Sequence, residues 1–107
     1  HVTGGGLASN LARVIPDSCQ VNIDRATWRP APIFRFIERL GGISQFDLEA
    51  TFNMGVGMVA VVARDSADEA LRLLVARGLR SWACGSVLPA SSRGGPRVSL
   101  FGQYAER

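Results

Sequence analysis

Two glycine-marked segments about fifty residues apart constrain this chain more than any other feature. They are His1-Val2-Thr3-Gly4-Gly5-Gly6-Leu7 and Thr51-Phe52-Asn53-Met54-Gly55-Val56-Gly57-Met58. Glycine admits positive φ and lets another main chain or a ligand come close, so each segment must be a tight turn or a place where backbone amides stay open. The first runs into Leu7, Leu11, Val14 and Ile15 at helical spacing, which predicts a short amphipathic helix over residues 6–15. Glycines feeding a helix put free amides and the positive end of the dipole at one point. The second runs into Met58, Val59, Ala60, Val61, Val62 and Ala63, an almost unbroken apolar stretch that reads as a central strand buried on both faces.

The intervening and following sequence fills in a layered domain. Pro16-Asp17-Ser18 stops the first helix, and Gln20-Val21-Asn22-Ile23-Asp24 alternates as a half-buried strand does. Trp28 to Pro32 is a proline-stiffened approach to a strongly apolar helix carrying Ile33, Phe34, Phe36, Ile37 and Leu40, which Gly41-Gly42 ends. Ser44 with Asp47 marks the start of a helix over residues 45–50, and Ser66-Ala67-Asp68-Glu69 reads as a capping box. The helix behind that box should turn Ala70, Leu71, Leu74 and Val75 inward and stop at Gly78. Residues 81–88 and 97–101 read as strands. This mixed order predicts an α/β (α+β) fold, a layered domain with a mixed β-sheet packed by helices. Residues 1–101 form the domain, and 102–107 a tail whose composition permits disorder.

Size and charge narrow the possibilities. A chain of 107 residues has the length of one domain, and no apolar run approaches the roughly 20 residues a membrane span requires. His1 stands inside a motif with no initiator Met or leader before it, so the chain is expected to be a piece of something longer. The net charge of +3 comes with twelve arginines and no lysine. Those arginines are scattered singly, without the clustering that nucleic-acid binding uses, and an anionic small molecule suits the balance as well. Cys19 and Cys84 have no CxxC partner, which argues for reduced, partly buried thiols, and a single His gives no legible metal-ligand set.

Candidate site residues follow from the glycine segments. Thr3, Gly4, Gly5 and Gly6 could hold a phosphate or a developing oxyanion, and His1 could orient substrate or move a proton. The same residues could equally be a plain strand-to-helix turn. Neither a Walker A loop nor a GxGxxG fingerprint is present. Asn53 can donate and accept at the mouth of the apolar run, beside Gly55 and Gly57, while a glycine bulge with Phe52, Met54 and Met58 in the core is the structural alternative. The segment around Trp28 could be a lid or simply buried aromatic packing. No Ser-His-Asp, Cys-His or paired-carboxylate arrangement can be read.

Taken together with Trp28-Arg29-Pro30-Ala31-Pro32-Ile33-Phe34, the two glycine segments resemble the C-terminal domain of the aminoimidazole ribonucleotide synthetases, the phosphoribosylformylglycinamidine cyclo-ligases of purine synthesis. The resemblance runs from His1 to about Val87. It implies an ATP-dependent ring closure of formylglycinamidine ribonucleotide, in which the formamide oxygen is activated by phosphorylation and an amidine-side nitrogen attacks. His1, which begins the first segment, is the catalytic candidate on its own chemistry. Thr3, Gly4, Gly5, Gly6, Asn53, Gly55 and Gly57 would bind the nucleotide substrate and its phosphate, in a cleft between two domains. ATP and Mg²⁺ would be bound mainly by an N-terminal domain that this chain lacks, and that domain would also make a homodimer. A cytoplasmic enzyme with no nucleic-acid or membrane partner is the expectation, and the fragment alone should be inactive. Related ATP-using enzymes share the superfamily: formylglycinamidine ribonucleotide synthetase, selenophosphate synthetase and thiamine-phosphate kinase. A non-catalytic interaction domain that keeps the fold is the alternative from a different class.

Overall fold

A computed structural model describes residues 1–91 and 93–106. Its elements are helices α1 (Gly6–Ala12), α2 (Pro32–Gly41), α3 (Gln45–Thr51) and α4 (Ala67–Ala76), with strands β1 (Cys19–Asp24), β2 (Gly85–Pro89) and β3 (Val98–Phe101). The three strands form one sheet in the order β2-β1-β3, antiparallel on the β2 side and parallel on the β3 side. Helices lie against it, so the fold is α+β with a mixed sheet, as the sequence order implies.

β1 is the centre because its alternation suits a strand with one dry face. Val21 and Ile23 point into the core, while Gln20, Asn22 and Asp24 do not. Val21 lies opposite Val87 on one side and Val98 on the other. β2 can approach closely because Gly85 faces β1 without a side chain; a Cβ there would run into the Asn22 carbonyl. Leu7 and Leu11 of α1 and Leu48 of α3 join the inward face of the sheet, with Val2, Ile15, Trp28, Met54 and Val56 closing the core. Leu7, Ile23 and Leu48 are the most completely enclosed, and burying side chains of this size stabilises by about 1.5–3 kcal/mol each.

Helix ends show where local signals decide the structure. The Ser44 hydroxyl accepts the Asp47 amide at 3.1 Å and caps α3. Pro32 opens α2, and Gly42, at φ 59°, closes it in the left-handed region. α1 stops at Ala12, short of the expected Ile15. Arg97 covers the end of that stretch, its guanidinium donating to the carbonyls of Ala12, Ile15 and Pro16.

Three expectations need correction. Residues 58–63 are not a strand of the sheet, and Met58 is 74% exposed instead of buried on both faces. The described neighbours supply no strand to pair with this run, so its apolar pattern is not matched by burial. Ser66 makes no capping bond, because it closes a 3₁₀ turn (Arg64–Ser66) that runs directly into α4; its φ of −100° and ψ of −5° differ from the extended geometry a capping serine adopts. Val75 is exposed, and α4 buries no residue fully, although Ala70, Leu71 and Leu74 are half-buried. Residues 102–106 make two contacts with the domain: Tyr104 donates to the Glu49 carboxylate, and the Ala105 amide donates to the Trp28 carbonyl at 3.0 Å. Residue 107 lies outside the described residues.

Candidate functional site

The fold brings the two glycine segments together. The Val2 amide donates to the Gly57 carbonyl at 2.9 Å, joining the start of the first segment to the end of the second. Val2 and Val56 are both buried beside that bond, so the junction is anchored in the core.

In the first segment, Gly5 and Gly6 have φ values of 99° and 85°. Gly6 also lies hard against the Glu49 carbonyl of α3, where no side chain would fit. Gly4 has open space around it. The loop is stapled by Asn10, a buried residue of α1. Its side-chain amide donates to the carbonyls of Thr3 at 3.1 Å, Gly4 at 3.4 Å and Gly6 at 2.7 Å, and its Oδ1 accepts the Thr3 hydroxyl at 3.1 Å. Asn10 thus engages carbonyls and does not compete for the amides of Gly4, Gly5 and Gly6. A seven-residue helix behind a glycine N-cap offers only a modest dipole, so the geometry of the loop matters more than the helix behind it.

The second segment is a tight turn. The Val56 amide donates to the Asn53 carbonyl at 3.0 Å, with positive φ at both central residues, Met54 at 54° and Gly55 at 93°. Asn53 Oδ1 accepts the Gly55 amide at 2.8 Å, which stabilises the turn locally. Gly57 has neither positive φ nor close neighbours. Trp28 supports the turn from beneath, its Nε1 donating to the Met54 carbonyl at 3.0 Å. The buried-packing reading of Trp28 is the one the structure shows.

Beside the junction lies a cleft of about 300 Å³ lined by His1, Val2, Thr3, Asn10, Leu11, Arg13, Val14 and Val59. His1 and Thr3, both singled out from sequence, face it. Gly4, Gly5 and Gly6 follow Thr3 in the chain but are not part of the lining, Gly57 is joined to it only through the bond to Val2, and Asn53 and Gly55 build the turn outside it. Arg13 and Asn10 escaped the sequence reading. Asn10 could have been found, because it falls three residues after Leu7 on the buried face of α1, where an unpartnered amide would be costly. Arg13 adds an exposed cation to the rim, a charge suited to an anion, while the Thr3 hydroxyl beside it already donates to Asn10 Oδ1. A second hollow of about 450 Å³ lies along Asn22, Asp24, Cys84, Ser86 and Phe101. Both cysteines are free and half-buried, and burial pushes the Cys84 thiol up.

Among the described residues, no three His, Cys, Asp or Glu side chains converge where they could hold a metal ion. No helix among the described residues is long and apolar enough to cross a membrane.

Comparison with known proteins places this geometry. Residues 1–95 match the family described as AIR synthase related protein, C-terminal domain. A Streptomyces fradiae protein named as a candidate phosphoribosylformylglycinamidine cyclo-ligase is 50% identical over 107 residues, covering 98% of this chain and 59% of that protein. The phosphoribosylformylglycinamidine cyclo-ligase of Pseudothermotoga lettingae is 43% identical over 89 residues, covering 83% of this chain and 26% of its own length. That of Nitrosococcus oceani is 42% identical over 94 residues, covering 88% of this chain and again 26% of its own. The chain thus spans between about a quarter and three-fifths of these relatives. With the paired glycine segments inside the matched stretch, this chain belongs to the AIR synthase related proteins and corresponds to their C-terminal domain.

Proposed function

We propose that this chain is the C-terminal portion of a phosphoribosylformylglycinamidine cyclo-ligase, a C–N bond-forming ligase that closes formylglycinamidine ribonucleotide to aminoimidazole ribonucleotide with ATP. The observation that carries the proposal is the identity of 42–50% to proteins of that name across 83–98% of the chain. In this reading the cleft together with the glycine loop that adjoins it takes the anionic nucleotide. The amides of Gly4, Gly5 and Gly6 and the Arg13 guanidinium supply hydrogen bonds and positive charge, and such pre-set donors act where charge develops. Thr3 and His1 orient the substrate, and Asn53 with Gly55 holds the neighbouring turn in shape. ATP and Mg²⁺ are left to sequence beyond these residues, as is assembly into a cytoplasmic homodimer.

One observation favours a second reading, a binding domain without catalysis: the Thr3 hydroxyl and Asn53 Oδ1 are both already bonded within the chain. A chimera decides between them. The matching C-terminal stretch of the Pseudothermotoga lettingae enzyme is replaced by this chain, and product formation from ATP, Mg²⁺ and the formylglycinamidine nucleotide is measured. Turnover is the expected result, while a folded but inactive chimera would favour the binding domain. The isolated chain should show no turnover.

A further inference from the structure

The matched family stretch ends at residue 95, ahead of β3 and of the residues that follow it. We propose that residues 102–106 form a strap that positions both glycine-rich loops of the candidate site, with Tyr104 as its positioning residue.

Two separate paths run from Tyr104 to the loops. Along the first, the Tyr104 hydroxyl donates to Glu49 Oε2, and the same carboxylate receives Arg25 through Nε and Nη2, both at 2.8 Å. Arg25 also donates from Nη1 to the Gly102 carbonyl at 3.2 Å, and its guanidinium lies 5.9 Å from the centre of the Tyr104 ring. The side chains of Arg25 and Glu49 are only 16% and 12% exposed, so their orientation is fixed by these bonds and not by solvent. The Glu49 carbonyl is the atom against which Gly6 packs. The strap therefore sets the part of α3 on which the first loop rests.

Along the second path, the Tyr104 ring meets Trp28 edge-on with centroids 5.3 Å apart, and the Ala105 amide donates to the Trp28 carbonyl. Trp28 in turn holds the Met54 carbonyl at the centre of the second loop. Each path is a short run of packed and hydrogen-bonded groups, the kind of network that can carry coupling between separated positions, and the coupling itself is what the experiment measures. Only the functional consequence rests on reading the two loops as the site; the positioning itself can be measured without any ligase assay.

The test is amide hydrogen exchange on the full chain and on two variants, Tyr104→Phe and Tyr104→Leu. Tyr104→Phe keeps the ring against Trp28 and loses the bond to Glu49. Exchange of the Asn10 and Leu11 amides, which bond back to the carbonyls of Gly6 and Leu7 in α1 and so report on the first loop, should rise about five- to tenfold, the effect of one lost hydrogen bond on local opening, while the bonded amides of Gly55 and Val56 in the second loop and the β1 amides of Val21 and Ile23 stay as they were. Tyr104→Leu removes the ring contact as well and should accelerate both loops, again without β1. No acceleration at the first loop in Tyr104→Phe overturns the proposal. Equal acceleration in β1 overturns it too, because the tail would then be ordinary structure.

Discussion

A Cβ placed on Gly6 would overlap the carbonyl oxygen of Glu49 and stand 3.0 Å from its carbon, so α1 and α3 meet where they do only because position 6 carries no side chain. The φ of 85° at Gly6 makes the same demand independently. Gly6→Ala should therefore lower stability by about 1–3 kcal/mol, the cost of a strained backbone position that its surroundings cannot relieve. Gly4→Ala, in open space, should stay within about 0.5 kcal/mol of the parent. Urea unfolding midpoints for the two variants check this, and equal losses would show that the contact with Glu49 does not decide the position.

Gly57 behaves differently from what its place before an apolar run suggests. The run makes a bulky neighbour look damaging, yet Gly57 has space on all sides and no positive φ. Its carbonyl, the atom that accepts Val2, survives any substitution. Gly57→Val should shift the unfolding midpoint by no more than about 0.5 kcal/mol. A larger loss would mean that residues 58–63 are held more tightly than their exposure indicates.

Asn10 is the residue to alter if the first loop is to be loosened from below. Asn10→Ala removes the side-chain donor from the buried carbonyl of Gly6 and from the partly buried carbonyl of Thr3. The expected loss is about 1–3 kcal/mol, typical of unsatisfied buried polar groups. Asn53→Ala removes one exposed bond, to the Gly55 amide, and should cost about 0.5–1.5 kcal/mol. In the ligase chimera, Asn53→Ala should reduce kcat/KM beyond the loss of folded protein only if Asn53 also touches substrate. An Asn10→Ala chain as stable as the parent would show that solvent replaces the missing amide.

Elements governed by neighbours in sequence were legible, and those governed by distant partners were not. Pro32, Gly42 and Ser44 mark helix ends because each acts within a few residues, and α2 and α3 fall where those signals put them. The alternation in β1 likewise reports one dry face. Residues 58–63 mislead because an apolar run records a preference for burial and says nothing of whether a strand is there to pair with it. Ser66 misleads because a capping pattern does not show that a 3₁₀ turn precedes it. In the candidate site, the glycines and Thr3 could be read from composition, and their union through Val2 and Gly57 could not. The contact between Tyr104 and Glu49 crosses 55 residues and leaves no local mark at all.

Tyr104 also makes stability depend on pH in a direction that can be worked out. Burial, and then the hydrogen bond to the Glu49 carboxylate, push its phenol well above the ordinary value of 10.0. The folded chain thus keeps a proton that the unfolded chain releases once pH passes that value. When the folded state binds more protons, unfolding becomes easier as pH rises. The stabilisation is fully present below about pH 10 and is lost progressively as pH climbs toward the folded value. Tyr104 is the single tyrosine of the chain, so near-ultraviolet tyrosinate absorbance reports on it alone. In the folded chain that absorbance should rise only at a pH clearly above the midpoint seen in denaturant. Melting temperatures compared at about pH 9 and about pH 11 should fall more for the parent than for Tyr104→Phe, which has no phenol to ionise. Should the folded and denatured chains titrate together, Tyr104 is free in solution and the strap is not closed.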